Sequence, residues 1–213
     1  VFQVEYASKA VEKRGTAVGV RCKDGVVLGV EKVIISKMLV KGSNRRISNV
    51  DRHTGIALAG LAADARQLIN KARSEARSYR ATYGHQIPGK VLAERLAGHV
   101  HMHTLYWYLR PFGCSVIVAN YDSTGPQLYM LEPAGVQYRY FATAIGKHSQ
   151  PAKSELEKLN FETLTCREAV KAIAHIIYKL HDDIKDKDFV LEMSWVCDES
   201  KKEHVNVPED LLA

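Results

Sequence analysis

From residue 3 to residue 13 the chain is alanine-rich, and Val4, Ala7, Ala10 and Val11 fall at helical spacing, which predicts a short amphipathic helix. The period then changes. From Gly15 to Ser36 β-branched residues dominate, and Lys23-Asp24-Gly25 predicts a hairpin turn with its glycine in a left-handed conformation. A second hairpin is expected from Arg46–Val50, a polar turn at 51–55, and Ile56–Ala59. After Gly60 a long helix is expected, with Ala65, Leu68, Ile69, Ala72, Ala76 and Tyr79 on one face and Gly84 placed to end it. Pro88 suits the first turn of a second helix, read as running to Arg110-Pro111, where the proline stops it.

Strands are expected again at 114–121, 127–132 and 136–142, separated by Gly or Pro turns. A third helix is expected at about 150–160. A fourth starts at Thr165 with a capping box, Thr165-x-x-Glu168, and carries Val170, Ile173, Ala174, Ile177, Leu180 and Ile184 on one face. Residues 189–196 alternate in period two and predict a last strand. Strands joined by short turns pair antiparallel, and each pair of amphipathic helices must cover one sheet face. The order therefore predicts an α+β fold of four layers, αββα, with two antiparallel sheets inside. No repeat, low-complexity tract or linker interrupts it, so residues 1–213 are expected to form a single domain.

Composition narrows the functional classes. The chain has 213 residues, 46% hydrophobic and 25% charged, enough for one sizeable core. Its net charge is +6 and its pI about 9.1, but the cations are scattered. The densest clusters, Arg45-Arg46 and Lys201-Lys202, fall short of a nucleic-acid patch, and Tyr106, Trp107 and Tyr108 have no interleaved lysine, at the end of a helix expected to be packed. Cys22, Cys114, Cys166 and Cys197 lie far apart with no C-x-x-C pair, so reduced thiols in an intracellular protein are expected rather than zinc ligands or a disulfide framework. His99 and His103 share a helical face at zinc-compatible spacing. No third ligand is evident, so these two and His101 are read as packing or subunit-contact residues. No apolar run reaches eighteen residues and no signal peptide stands at the start, so no membrane span is expected. The first residue is valine and PEDLLA ends abruptly, so further residues are expected at both ends.

With its motifs this element order resembles the proteasome family, whose fold is the four-layer sandwich of N-terminal-nucleophile hydrolases. FQVEYASKAV is similar to the N-terminal signature helix of proteasome α-type subunits, supported by GLAADAR (60–66), RPFGCS (110–115) and LYMLEPAG (128–135). RPFGCS, KDGVV and VDRH are most similar to the α type-3 branch. The proteolytic β-type subunits of this family use an N-terminal threonine as nucleophile, a lysine that lowers the pKa of the reacting pair, and an acid that orients the lysine. Aligned through the shared AVGV strand, the nucleophile's place falls on Gly15 and the lysine's on Arg46, whose guanidinium stays protonated. Thr16 is one position late, on the opposite strand face, and only the acid survives, as Glu31. The resemblance thus implies no catalytic residue, no metal and no cofactor.

It implies instead a subunit of a seven-membered α-ring, with neighbouring α subunits, β-ring subunits and regulatory particles as partners, in cytoplasm and nucleus. Tyr6 matches the tyrosine that stabilises the family's open pore. Arg46, Gly60 and Leu61 match its pocket for the C-terminal tail of an activator, with arginine in place of lysine. The signature helix is read as a contact surface without a partner in its own domain. Two rivals stand beside this reading: an active threonine hydrolase of the same fold, and a basic nucleic-acid-binding module.

Overall fold

The computed structural model describes residues 2–40, 42–181 and 188–211. Helix α1 (Phe2–Glu12) leads into strands β1 (Ala17–Arg21), β2 (Gly25–Val33), β3 (Ile47–Asp51) and β4 (Thr54–Gly60). Helices α2 (Ala62–Tyr83) and α3 (Gly89–Leu105) follow, then β5 (Cys114–Asp122), β6 (Gly125–Leu131), β7 (Gln137–Arg139) and β8 (Ala142–Ile145). The chain closes with α4 (Ser149–Leu156), α5 (Cys166–Leu180), β9 (Phe189–Cys197), β10 (His204–Asn206) and a 3-10 turn (Glu209–Leu211). The strands form two five-stranded sheets, β10-β9-β2-β1-β8 and β3-β4-β5-β6-β7, antiparallel throughout.

Period two decides which core each side chain joins. Val26, Leu28 and Val30 of β2 meet Ala57, Ala59, Ile117, Ala119, Leu128 and Met130 between the sheets. Their neighbours point outward: Ile56, Leu58, Val116 and Val118 to α2 and α3, and Val18, Val20 and Val27 to α4 and α5. The four expected layers are present. Two termini follow the expected chemistry. Gly84 ends α2 at φ 75°, its N–H on the Arg80 carbonyl, and Thr165 with Glu168 forms the complete capping box of α5.

Several expectations are corrected. Helix α3 stops at Leu105, because Tyr106 is extended and Arg110 turns away to bind a carboxylate of α2. The following aromatics are exposed rather than packed, Trp107 at 95%. The run 136–142 is two strands in different sheets: Tyr140 N–H still donates to Leu128 of β6, while the Phe141 carbonyl already accepts from Arg21 of β1. Strand β9 is not last, since β10 pairs with it. Gly25 has no positive φ. Its missing side chain admits β9, where an added Cβ would lie 2.4 Å from the Val196 carbonyl oxygen. Helix α1 has a partner in its own domain, packing on β4 and β5 with Ala7 and Val11 buried. Ile184 lies outside the described residues.

Strand β10 is held by a buried network. His204 stands between Asn49 (Nδ1 to Oδ1, 2.7 Å) and Ser194 (Nε2 to Oγ, 2.8 Å), and Asn49 Nδ2 donates to the His204 carbonyl. Burial lowers the His204 pKa from 6.5 to about 4. Between those values the unfolded chain binds the extra proton, so His204 contributes stability that is whole above pH 6.5 and lost as pH falls to about 4. That loss amounts to about 3 kcal/mol. In His204→Gln, denaturant midpoints measured across this window should vary less with pH than in the wild type. An unchanged slope would show that His204 is not the group responsible.

Candidate functional site

At one end of the inter-sheet layer a cleft of about 280 Å³ is lined by Lys13, Arg14, Gly15, Val30, Glu31, Val33, Ile35, Arg46 and Leu58. It thus gathers Gly15, Glu31 and Arg46, the outer two 31 positions apart in the sequence, and Thr16 is not among its lining residues. Thr16 is buried, and its hydroxyl accepts from the His148 N–H at 3.3 Å.

The acid is already engaged. Glu31 is only 5% exposed; its Oε2 accepts from the Thr16 backbone N–H at 2.9 Å, and its Oε1 lies 3.1 Å from Nδ1 of His181, whose side chain is 6% exposed. No sequence signal marks His181, which comes from the far end of α5, 150 residues on. Arg46 does not pair with Glu31. Its backbone N–H donates to Glu192 Oε2 at 2.9 Å and its Nη1 to the Gly60 carbonyl at 3.2 Å. Burial, with Arg14 and Arg66 nearby, lowers the Arg46 pKa, while Glu192 opposes the shift. Positive charge therefore converges on this end of the sandwich.

The same end is tied together by two of the quoted motifs. Gly60 sits at φ 102°, against the Gly113 carbonyl, and Leu61 N–H donates to that carbonyl at 2.9 Å. Asp64 receives both Arg110 nitrogens at 2.6 Å and the Gly113 N–H at 2.8 Å. The Arg110 hydrogen bonds hold the Asp64 carboxyl below its usual value against the opposing effect of burial. GLAADAR and RPFGCS are thus the two halves of one junction. Arg46, Gly60 and Leu61 are contiguous there, whereas Tyr6, 60% exposed on α1, does not line the cleft.

The α3 histidines are engaged in packing. His99 and His103 face each other at 4.8 Å with His103 against Phe112 at 4.5 Å, and His103 Nδ1 lies 2.9 Å from the His99 carbonyl. His101 Nδ1 lies 3.3 Å from the Ala134 carbonyl. Among the described residues no helix is long and apolar enough to cross a membrane.

A model of the proteasome subunit family matches residues 11–196. The chain belongs to the proteasome family. Over its whole length it is 63% identical to a proteasome subunit alpha type-3 of Arabidopsis thaliana and 62% identical to that of Spinacia oleracea, covering 85% of each. Over 99% of its length it is 55% identical to the alpha type-3 subunit of Dictyostelium discoideum, again covering 85% of that protein. Within the family fold, the glycine at 15 is sterically enforced: a Cβ there would lie 2.3 Å from the Glu31 carbonyl oxygen.

Gly15→Thr should therefore fail to create a peptidase and should cost about 1–3 kcal/mol by overpacking. Denaturant unfolding and a peptide-cleavage assay check both, and a stable, cleaving variant would refute the argument. Arg110→Ala should cost a similar 1–3 kcal/mol, because it strands the buried Asp64 carboxylate. Arg110→Lys should recover only part, since lysine lacks the two-pronged donor. Full recovery would mean that charge alone, not the fork, holds the junction.

Proposed function

We propose that the chain is a non-catalytic α-type subunit of the outer ring of the 20S proteasome core particle. In that ring it contributes to assembly, to gating of substrate access and to docking of regulatory particles in ubiquitin- and ATP-dependent protein degradation. One observation carries the reading: the cleft that would hold a threonine nucleophile presents Gly15, where a side chain collides with Glu31, and Arg46, bound to Gly60 rather than to the acid. On this reading Gly15 stands at the nucleophile's place and Arg46 at the lysine's. A hydrolase would need a hydroxyl and a proton-exchanging amine there. Kinship over the full chain with subunits named alpha type-3 supports the ring position.

The convergence of Arg14, Arg46 and Arg66 supports a second part of the reading, in which Arg46, Gly60 and Leu61 form part of a pocket for the C-terminal carboxylate of a regulator. In this reading Tyr6 of the signature helix joins the contacts at the pore, and its exposure supports that role. The partners are neighbouring α subunits in a seven-membered ring and β subunits beneath, and the particle works in cytoplasm and nucleus.

The native mass of whatever co-purifies with the chain in mild salt tests this. A particle many times the 23.8 kDa of the chain, containing several sequence-related subunits, is expected. A stable monomer would overturn the ring reading. Within such a particle, Arg46→Glu should weaken stimulation by a regulator that docks through its C-terminal tail; unchanged stimulation would remove Arg46 from the pocket.

A further inference from the structure

At the opposite end of β1 and β2 from the cleft, on the helix-covered face of their sheet, the fold brings together residues that the sequence keeps far apart. Cys22 and Asp24 stand at the β1–β2 turn, Cys166 is the first residue of α5, and Cys197 ends β9. The thiol sulfurs of Cys22 and Cys166 and a carboxylate oxygen of Asp24 lie within 4.8 Å of one another. Cys197 is a buried thiol at the end of the neighbouring strand and stands outside this group. The three cysteines are buried free thiols, and Asp24 is half-buried on the solvent side.

We propose that Cys22, Asp24 and Cys166 form a three-donor binding site for a thiophilic divalent cation of the zinc class, with water completing the tetrahedron. A tetrahedral ion with metal–sulfur bonds of about 2.3 Å needs donors about 3.8 Å apart, which the spread of Cys22, Asp24 and Cys166 meets with shifts of about an ångström. Two sulfurs and one carboxylate match zinc rather than magnesium or calcium, which take oxygen shells. Each thiol that ligates releases its proton to solvent, and the divalent ion offsets two of the three negative charges of the two thiolates and the carboxylate. The N-terminus of α5, carrying about half a positive charge, adds to that balance at Cys166.

The frame around the donors is fixed. Asp24 Oδ1 accepts from the Cys166 N–H at 2.9 Å, which orients the carboxylate and leaves its other oxygen for an ion. The Asp24 carbonyl accepts from Asp198 N–H at 3.0 Å, and Cys197 N–H donates to Ser200 Oγ at 3.0 Å, so the turn and the end of β9 are tied to each other. Half-exposed Asp24 gives the path by which an ion would arrive.

The test uses the full chain, reduced and stripped with a chelator, then given Zn²⁺ and separated from unbound metal by gel filtration. Elemental analysis should find one Zn²⁺ per chain. Co²⁺ in its place should give thiolate-to-metal charge-transfer absorption. Cys22→Ser and Cys166→Ser should weaken binding by at least about a hundredfold. Cys114→Ser, at a buried thiol of the other sheet, should leave binding unchanged. Asp24→Asn keeps all the buried thiols and the acceptor for Cys166 N–H, so it tests the site without disturbing the core, and it should also weaken binding. Substoichiometric metal on the wild type would overturn the proposal. So would binding that survives Cys22→Ser and Cys166→Ser in folded protein, or a stable disulfide among these thiols in place of metal.

Discussion

Everything in this molecule hangs on the apolar layer where the two sheets face each other. Leu28, Ile117 and Leu128 fill it, and the small residues Ala57, Ala59 and Ala119 let the sheets approach. Such packing requires strict alternation, so the residues between these must be equally apolar wherever a helix lies outside. That is why β2, β4 and β5 read as nearly unbroken hydrophobic runs, although they belong to antiparallel sheets. Helices then cover both outer faces, and the cleft opens at one end of this layer.

At that end the polar groups satisfy one another rather than a substrate. Glu31, buried in the layer, has its two oxygens committed to Thr16 and His181. Arg46 is committed to Gly60 and, through its backbone, to Glu192. A carboxylate and a cation on facing strands of a cleft are the raw material of acid–base chemistry. Here they are parts of two separate structural networks with a glycine between them. The same economy joins α2 to the strand that follows α3, where the Asp64–Arg110 fork fixes the backbone of Gly113 and with it the Gly60-Leu61 step.

Elements whose period is long and whose ends carry chemical markers were legible in the sequence. The long helix closed by Gly84 and the capping box at Thr165 both stand where their residues imply. What stayed hidden depends on contacts across the chain. The end of α3 is set by Arg110 reaching Asp64, 46 residues away. The run 136–142 changes sheet because its two halves find different partners, β6 and β1, and nothing in its own alternation announces that. Strand β10 has three residues and is held by a histidine network rather than by pattern. At the cleft, Gly15, Glu31 and Arg46 could be named from alignment to a motif, but the partners that occupy them could not. His181 and Glu192 approach from α5 and β9, over a hundred residues on. The cysteines show the same limit: spacing along the chain separates residues that the turn, the helix start and the strand end bring together.

This chain carries the fold of the proteasome family with a cleft in which Gly15 offers no nucleophile and Arg46 is bound elsewhere. The most direct test is to treat the assembled particle with an electrophile that condenses with both the hydroxyl and the amine of an N-terminal threonine, then map the adducts by mass spectrometry. Adducts are expected on other subunits and none on this chain, including at Thr16. An adduct on Thr16 that forms at the rate of the catalytic subunits would contradict that expectation.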